Sequence, residues 1–439
     1  MKLFALILAV AMMLSLALPA SATDATLPEG MEWMTPFDET VKLNVVVGWD
    51  ADSGVKEGTT PETNSLVQLA KEFLNIELNF LWMVPNDQLS ERLALQISSG
   101  EIPDIVMLES EYFYEFMDSD YLRDLTDAYE NCGSQDLKAV LSSLGEAPMQ
   151  YAPRDGKLYG IPTLLQCIIG AYDKSVFEEK GLAVPTNYDE MVSAAAALKA
   201  DGNGISMPAS QTNGAYTVWS QMLYSADGYL TKDGTLAVDS DECIAASERY
   251  ENLVQYAADG SLSWAHDGVT KALQSKSAAM GLPMSGNCAN FFDEENSLIA
   301  DSVGFFPFYG YEDQAAANQT YWVWAIPSNC KDPAAAFEFI AWLCSYEVEK
   351  ASSMDMYTIS AITELATDAE LMATVPFANI VMEQFSIGKP DPANSNFDPL
   401  KSDMTIVLSE IGAASTAGGA DIQGLLTGLQ NKYGSLDWN

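Results

Sequence analysis

A single histidine occurs in this chain, His266, in the turn SWAHDG. A Ser-His-Asp or Cys-His nucleophile would have to be assembled around it, and no GxSxG elbow accompanies it. His266 is therefore expected as an exposed loop residue. Zinc coordination wants His and Cys clustered, whereas the six cysteines, Cys132, Cys167, Cys243, Cys288, Cys330 and Cys344, stand apart without a CxxC. Their order dictates no pairing, and a chain this long can bury them as thiols. The GxxxxGK[ST] and GxGxxG phosphate loops are missing, and DADSG and DGNG lack the Glu that a calcium loop needs. Neither cofactor nor metal is expected. Glycoside hydrolysis needs two carboxylates, and 62 Asp and Glu supply them in number while no spacing singles out a pair. A secreted carboxylate-dependent glycoside hydrolase is kept as an alternative.

The aromatic residues point elsewhere. Trp49, Tyr112, Tyr216, Trp219, Trp264, Tyr309 and Trp322 stand beside expected strand ends, helix starts or turns. Their flat apolar faces and polar edges suit sugar rings or alkyl cations. Trp82, Trp324 and Trp342 fall inside expected elements and are assigned to cores. Arg92, Arg123, Arg154 and Arg249 are the only arginines, which disfavours phosphates and other anionic ligands.

These residues need a scaffold, and hydrophobic periodicity supplies one. KLNVVVGWD reads as a strand, PETNSLVQLAKEFLN as a helix with Leu66, Leu69, Ala70 and Phe73 on one face, and IELNFLWM as a strand. NDQLSERLALQI is a helix carrying Leu89, Leu93 and Ile97, capped by Asn86 or Asp87 and ended by Gly100. Ile105 to Leu108 is a short buried strand, and Asp104 is expected to cap backbone N–H groups of its own turn. The β-α-β-α-β order implies a mostly parallel sheet with helices on both faces, and such sheets bind ligands beyond the carboxyl ends of their strands. That geometry places Trp49 and Asp50, Met83 to Asn86, and Glu109 to Tyr112 (Glu111 among them) at a crevice. Asp155-Gly156 is a hairpin turn, Leu158 to Tyr172 is extended, and Thr186 caps the helix that follows. SKSAAMGLPM, SVGFFPFYG and YWVWAIPS are further strands, Asp332-Pro333 opens another helix, and the rest from Glu364 is mostly helical.

The first 22 residues, MKLFALILAVAMMLSLALPASA, have the form of a secretory signal peptide, and no lipobox Cys follows. An extracellular or periplasmic protein without a mature transmembrane segment is expected. A net charge of -41, with no basic cluster, excludes nucleic acid and anionic membrane surfaces as partners.

In chain order, KLNVVVGWD, LALQISSGEIPDIVML, DGKLYGIPT, AYDKSVFEEKGLAVPTNYDEMVSAAAALKADG, KSAAMGLPMSG, VGFFPFYG and WVWAIPSNCKDPAAAFEFIAWLCS resemble the extracellular solute-binding proteins of family 1. These are the maltose-binding-protein-like receptors of ABC importers. The resemblance implies an α/β, two-lobed periplasmic-binding-protein-like fold of type II, each lobe a mostly parallel sheet flanked by helices. It implies lobe one at 40–160 plus 304–345, lobe two at 165–300 plus 346–439, and hinges near 161–165 and 302–306. It further implies a binding protein rather than an enzyme, a monomer that captures a small molecule and delivers it to a membrane permease. A carbohydrate is the expected ligand, and a polyamine or other cation is the alternative. Glu111, Tyr112, Tyr216, Trp219, Ser285 and Asn287 are the positions that similarity brings to the ligand; Trp49, Asp50, Tyr309 and Trp322 join them from the reading of residue types. Asn287 stands where many members carry a Trp, which argues against a maltose-like stacking platform.

Overall fold

The computed structural model describes residues 36–48, 60–84, 88–100, 103–132, 134–143, 153–154, 156–394 and 396–438. Strand β1 (Val41–Gly48) pairs in parallel with β2 (Ile76–Val84), Val41 facing Ile76. The helix joining them, Ser65–Leu69, is capped by Asn64, whose Oδ1 accepts from the Val67 N–H at 3.1 Å. It continues as a π-helical turn, Ala70–Leu74. The wider turn rotates the apolar stripe: Leu74 is buried, and Phe73 is only half-buried. Helix Leu89–Ser99 buries Leu89 and Leu93 and ends at Gly100, whose φ of 80° is the left-handed conformation that terminates helices. Gln88 occupies its N-cap, and Asn86 and Asp87 lie outside the described residues.

Strand β3 (Ile105–Glu109) lies against the other edge of β1. Asp104, just before it, does not serve its own turn. Its Oδ2 accepts from the backbone N–H of Asn44 at 2.9 Å and from the Asn44 side-chain amide at 3.0 Å, clamping β3 to β1. A hairpin of β4 (Pro153–Arg154) and β5 (Lys157–Leu158) precedes β6 (Gly160–Gln166); Asp155 of its turn lies outside the described residues.

The chain then passes into a second sheet through β7 (Gly170–Asp173). There follow β8 (Ile205–Ser206), the small hairpin of β9 (Thr231–Lys232) and β10 (Thr235–Leu236), β11 (Met280–Gly281) and β12 (Val303–Phe306). Strand β13 (Thr320–Ala325) returns to the first sheet. The sheets have orders β2-β1-β3-β13-β6 and β12-β7-β11-β8. Each contains one reversed strand. β13 is antiparallel to β3 and β6, and β7 is antiparallel to β11 and β12.

This topology corrects the expected crossings. β6 belongs to the first sheet through Gln166, so the first crossing is 167–169 and not 161–165; β12 belongs to the second sheet, so the next lies between Phe306 and Thr320. Residues 346–386 pack in the first core, where Val348, Leu371, Val381 and Phe385 join Leu43, Val106 and Phe339. Helices Phe397–Ala414 and Ile422–Tyr433 pack in the second, with Trp219, Tyr250 and Phe308. The last crossing therefore falls in 387–396, and 346–386 does not belong with lobe two. An apolar helical stripe states that it will be buried; it does not state against which sheet.

Candidate functional site

A cavity of about 200 Å³ opens over one face of the first sheet, near the crossings. Val45 and Val47 of β1, Met107 of β3 and Trp322 and Trp324 of β13 form its floor. Side chains at i and i+2 share a strand face, which is why both tryptophans arrive there. A register shift between Trp322 and Val323 in the β13–β6 ladder lies at this point, a place where bulges re-aim side chains. Helix Tyr346–Met356 brings Glu349, Ser352 and Met356, spaced along one helical face, and the segment after it brings Tyr357 and Thr358. Gln166 and Gly286 close the side nearest the second lobe. A Cβ on Gly286 would stand 2.7 Å from the Gln166 amide nitrogen, so a larger residue here would displace the end of that side chain.

The walls are apolar, yet several polar atoms around them are buried without a hydrogen-bond partner: Glu349 Oε2, Trp322 Nε1, Thr163 Oγ1 and Thr358 Oγ1. Glu349 is only 5 % exposed. Desolvation pushes its carboxyl up to about 8, and the nearby Ser360 hydroxyl only partly opposes this. Unpaired buried polar groups are costly, and four of them belong to residues around this one void. The lobes also meet here: Phe292 stacks on Tyr357 at 6.1 Å with 18° between the rings, and Phe305 lies 5.2 Å from Phe377.

Among the expected site residues, Trp322 lines this cavity. Trp324, assigned to a core, lines it as well and is half-buried. Trp82 is also only half-buried, with Arg92 over its ring at 5.6 Å. Trp342 is fully buried, as expected.

Tyr216 and Trp219 are corrected. Their helix, Asn213–Ser225, is buried on nearly every side in the second core. Trp219 is inaccessible and donates its indole N–H to Ser247 at 2.8 Å; Tyr216 donates to Asp391 at 2.5 Å. Ser285 is also fully buried and is spent on the crossing, its hydroxyl accepting from the Cys167 N–H at 3.3 Å. Asn287 and Tyr309 are half-buried and lie apart from the cavity lining, Tyr309 against the second core. Trp49 and Asp50 lie outside the described residues, as do the side chains of Glu111 and Tyr112; the backbone of these last two sits in helix Ser110–Asp118.

His266 is not an exposed loop residue. It opens helix His266–Gln274 with its Nδ1 buried, and desolvation pushes its ring down to about 4. Thr186 is likewise not the cap of the helix it precedes; Asn187 is, accepting from the Glu190 N–H at 2.9 Å. Cys167, Cys243, Cys288, Cys330 and Cys344 are buried free thiols.

Glu349, Thr163, Gln166, Tyr357 and Thr358 are not legible as site residues in the sequence. Glu349 stands in YEVEK beside other charges and reads as one more solvated carboxylate. Its spacing to Ser352 and Met356 is the available signal.

Comparison with known proteins bears on this arrangement. The maltose-bound T. maritima MalE3 shares the fold at a TM-score of 0.72 with 19% identity, covering 89% of this chain and 98% of that one. A ribitol-complexed solute-binding protein from Agrobacterium radiobacter gives 0.69 with 21% identity over 91% of this chain and 99% of its own. A "Probable amino-acid ABC transporter periplasmic-binding protein" of Sinorhizobium fredii is 22% identical over 316 residues, 70% of this chain and 69% of the relative. The family model described as bacterial extracellular solute-binding protein matches residues 58–350. With two hinge-joined α/β lobes and that match, the chain belongs to the bacterial extracellular solute-binding protein family.

Proposed function

We propose that this protein, exported by its leader, captures one small carbohydrate or polyol in the cavity, closes its lobes over it and presents the closed form to an ABC importer permease. The observation that carries the reading is the combination of aromatic walls with unpartnered polar atoms where the chain crosses between sheets. Such polar groups find partners in a hydroxylated solute, while Trp322, Trp324 and Tyr357 offer faces to its carbon skeleton. The size is informative. A cavity of roughly 150 Å³ holds a benzene ring, so this one has room for a single substituted ring or a short open chain. Relatives of the same fold named as complexed with tagatose and ribitol support that class. Closure follows only from tighter binding to the closed state. Among the described residues no helix is long and apolar enough to cross a membrane.

The test is a titration with monosaccharides and polyols followed by Trp fluorescence and small-angle scattering. Quenching at micromolar ligand with a fall in radius of gyration is expected, and Trp322→Ala lowers the affinity about 10- to 100-fold. No quenching and no compaction with any member of the panel overturns the reading; turnover of an oligosaccharide would favour the glycoside hydrolase instead.

A further inference from the structure

We propose that Glu349 makes the cavity selective, among small sugars and polyols, for one in which an ammonium group replaces a hydroxyl, an amino sugar or amino alcohol, over its all-hydroxyl counterpart. The inference rests on the capture reading above and names the ligand class more narrowly. Glu349 is the only ionisable carboxyl among the described lining residues, and no Lys, Arg or His lines the cavity with it. Its Oε2 has no partner although the residue is 5 % exposed. Trp322, Trp324, Tyr357, Phe80 and Phe339 add aromatic rings, whose faces attract cations most strongly where water is excluded. A buried carboxyl with one unpartnered oxygen, in a cavity that aromatic rings also line, is a poor place for an anion and a well-matched one for a compact cation.

The charged neighbours leave that role open. On its own helix, Lys350 is held by Asp368 at 2.9 Å and Glu370 at 3.0 Å, Asp355 accepts from the Ser65 N–H, and Glu347 is a further acid. From the preceding turn comes the buried Cys344 thiol, kept protonated by desolvation first and by Glu349 second. From the helix Gln135–Ser143 comes Asp136, which accepts from the Tyr346 N–H. Helix Ser65–Leu69 contributes no titratable side chain, helix Pro333–Leu343 contributes Glu338, and helix Ala369–Thr374 contributes Glu370. No basic group among these pairs with Glu349, and burial favours its protonated form.

Arrival of R–NH3+ changes that balance. The carboxyl O–H bond breaks, its proton leaves to solvent, and the carboxylate pairs with the ammonium group; no electron is transferred. A hydroxyl ligand brings no charge to drive the ionisation. Binding of an amine that stays charged is thus proton-linked and strengthens about tenfold per pH unit up to about pH 8, then levels off.

The experiment compares glucosamine with glucose, and ethanolamine with ethylene glycol, by calorimetry on the mature full-length chain. Titrations at pH 6.5 in phosphate and in HEPES, which differ in ionisation enthalpy, count the protons released. The amines are expected to bind at least about 100-fold more tightly than their counterparts, with close to one proton released. Glu349→Gln, its folding checked by thermal melting, loses both the preference and the proton release. Equal binding of glucose and glucosamine, or a preference that survives in Glu349→Gln, overturns the selectivity while compaction on glucose keeps the capture reading. If no probe of either class binds or compacts the protein, both fall.

Discussion

The Gln384 side chain holds two crossings at once. Its Nε2 donates to the Ile168 carbonyl at 2.8 Å, and its Oε1 accepts from the Phe308 N–H at 2.7 Å. Its own carbonyl accepts from the Ala317 N–H at 2.9 Å. Gln221 completes the grip from the second lobe, accepting from the Ile168 N–H at 2.7 Å. Gln384 is 1 % exposed, so water does not substitute for these bonds.

Gln384→Leu should therefore act on hinge and stability together. It leaves the buried Phe308 N–H without its acceptor, at a cost of about 1–3 kcal/mol, while the Ile168 carbonyl keeps the Gln221 amide at 3.1 Å. Denaturant unfolding should show the loss. Scattering without ligand should show a changed radius of gyration, since the crossings lose a fixed point. An unchanged stability and radius would contradict the assignment.

Glu349→Gln should stabilise the empty protein at neutral and alkaline pH. The carboxyl rises from an ordinary value near 4.5 to about 8 on folding. Below pH 4.5 both states are protonated. Between the two values the unfolded chain ionises while the folded one does not, so stability falls by up to about 1.4 kcal/mol per pH unit as pH rises. The fall ends near pH 8. Melting curves from about pH 4 to about pH 9 should show this slope for the unsubstituted protein and a flatter profile for the Glu349→Gln variant, with the gap widest at the alkaline end.

Asp104→Ala should weaken the first sheet at its inner seam. The Asn44 N–H and side-chain amide both lose their acceptor, and a loss of about 1–3 kcal/mol is expected by chemical denaturation. Asp104→Asn keeps an oxygen for the backbone donor and should cost less.

Asp391→Ala should be the more damaging change. Tyr216 and Tyr224 donate to its Oδ1 at 2.5 and 2.6 Å, and Asn318 donates to its Oδ2 at 3.1 Å. Removing the acceptor strands two buried phenols, at about 2–4 kcal/mol, and leaves the Asn318 amide with Ser220 alone. Tyr216→Phe should cost less, because Tyr224 and Asn318 keep their acceptor. Neither variant is expected to abolish ligand binding directly, since Tyr216 is not part of the cavity.

Much of the fold is readable from local chemistry. Alternation in IELNFLWM, the continuous apolar run at Ile105, the Asp332-Pro333 helix start and the glycine ending at Gly100 each depend on nearest neighbours along the chain. Their order is enough for the two-lobed class. The site is much less readable. Tyr216 and Trp219 have the composition of a binding face and are buried, because their whole helix is enclosed by others. Trp324 reads as core and Trp322 as site, although two residues apart on one strand they share a face.

Glu349 shows where sequence reading stops. Secondary structure, the lobes and the family follow from periodicity, capping and motif order, all of which are properties of adjacent residues. Whether a given carboxylate meets water, a lysine or a dry aromatic hollow depends on which helix settles over which sheet, and that is a matter of contacts between residues hundreds of positions apart. Helix Tyr346–Met356 settles beside Ser65–Leu69 over the first sheet. That long-range packing turns one unremarkable acid of YEVEK into the only carboxylate lining the cavity among the described residues.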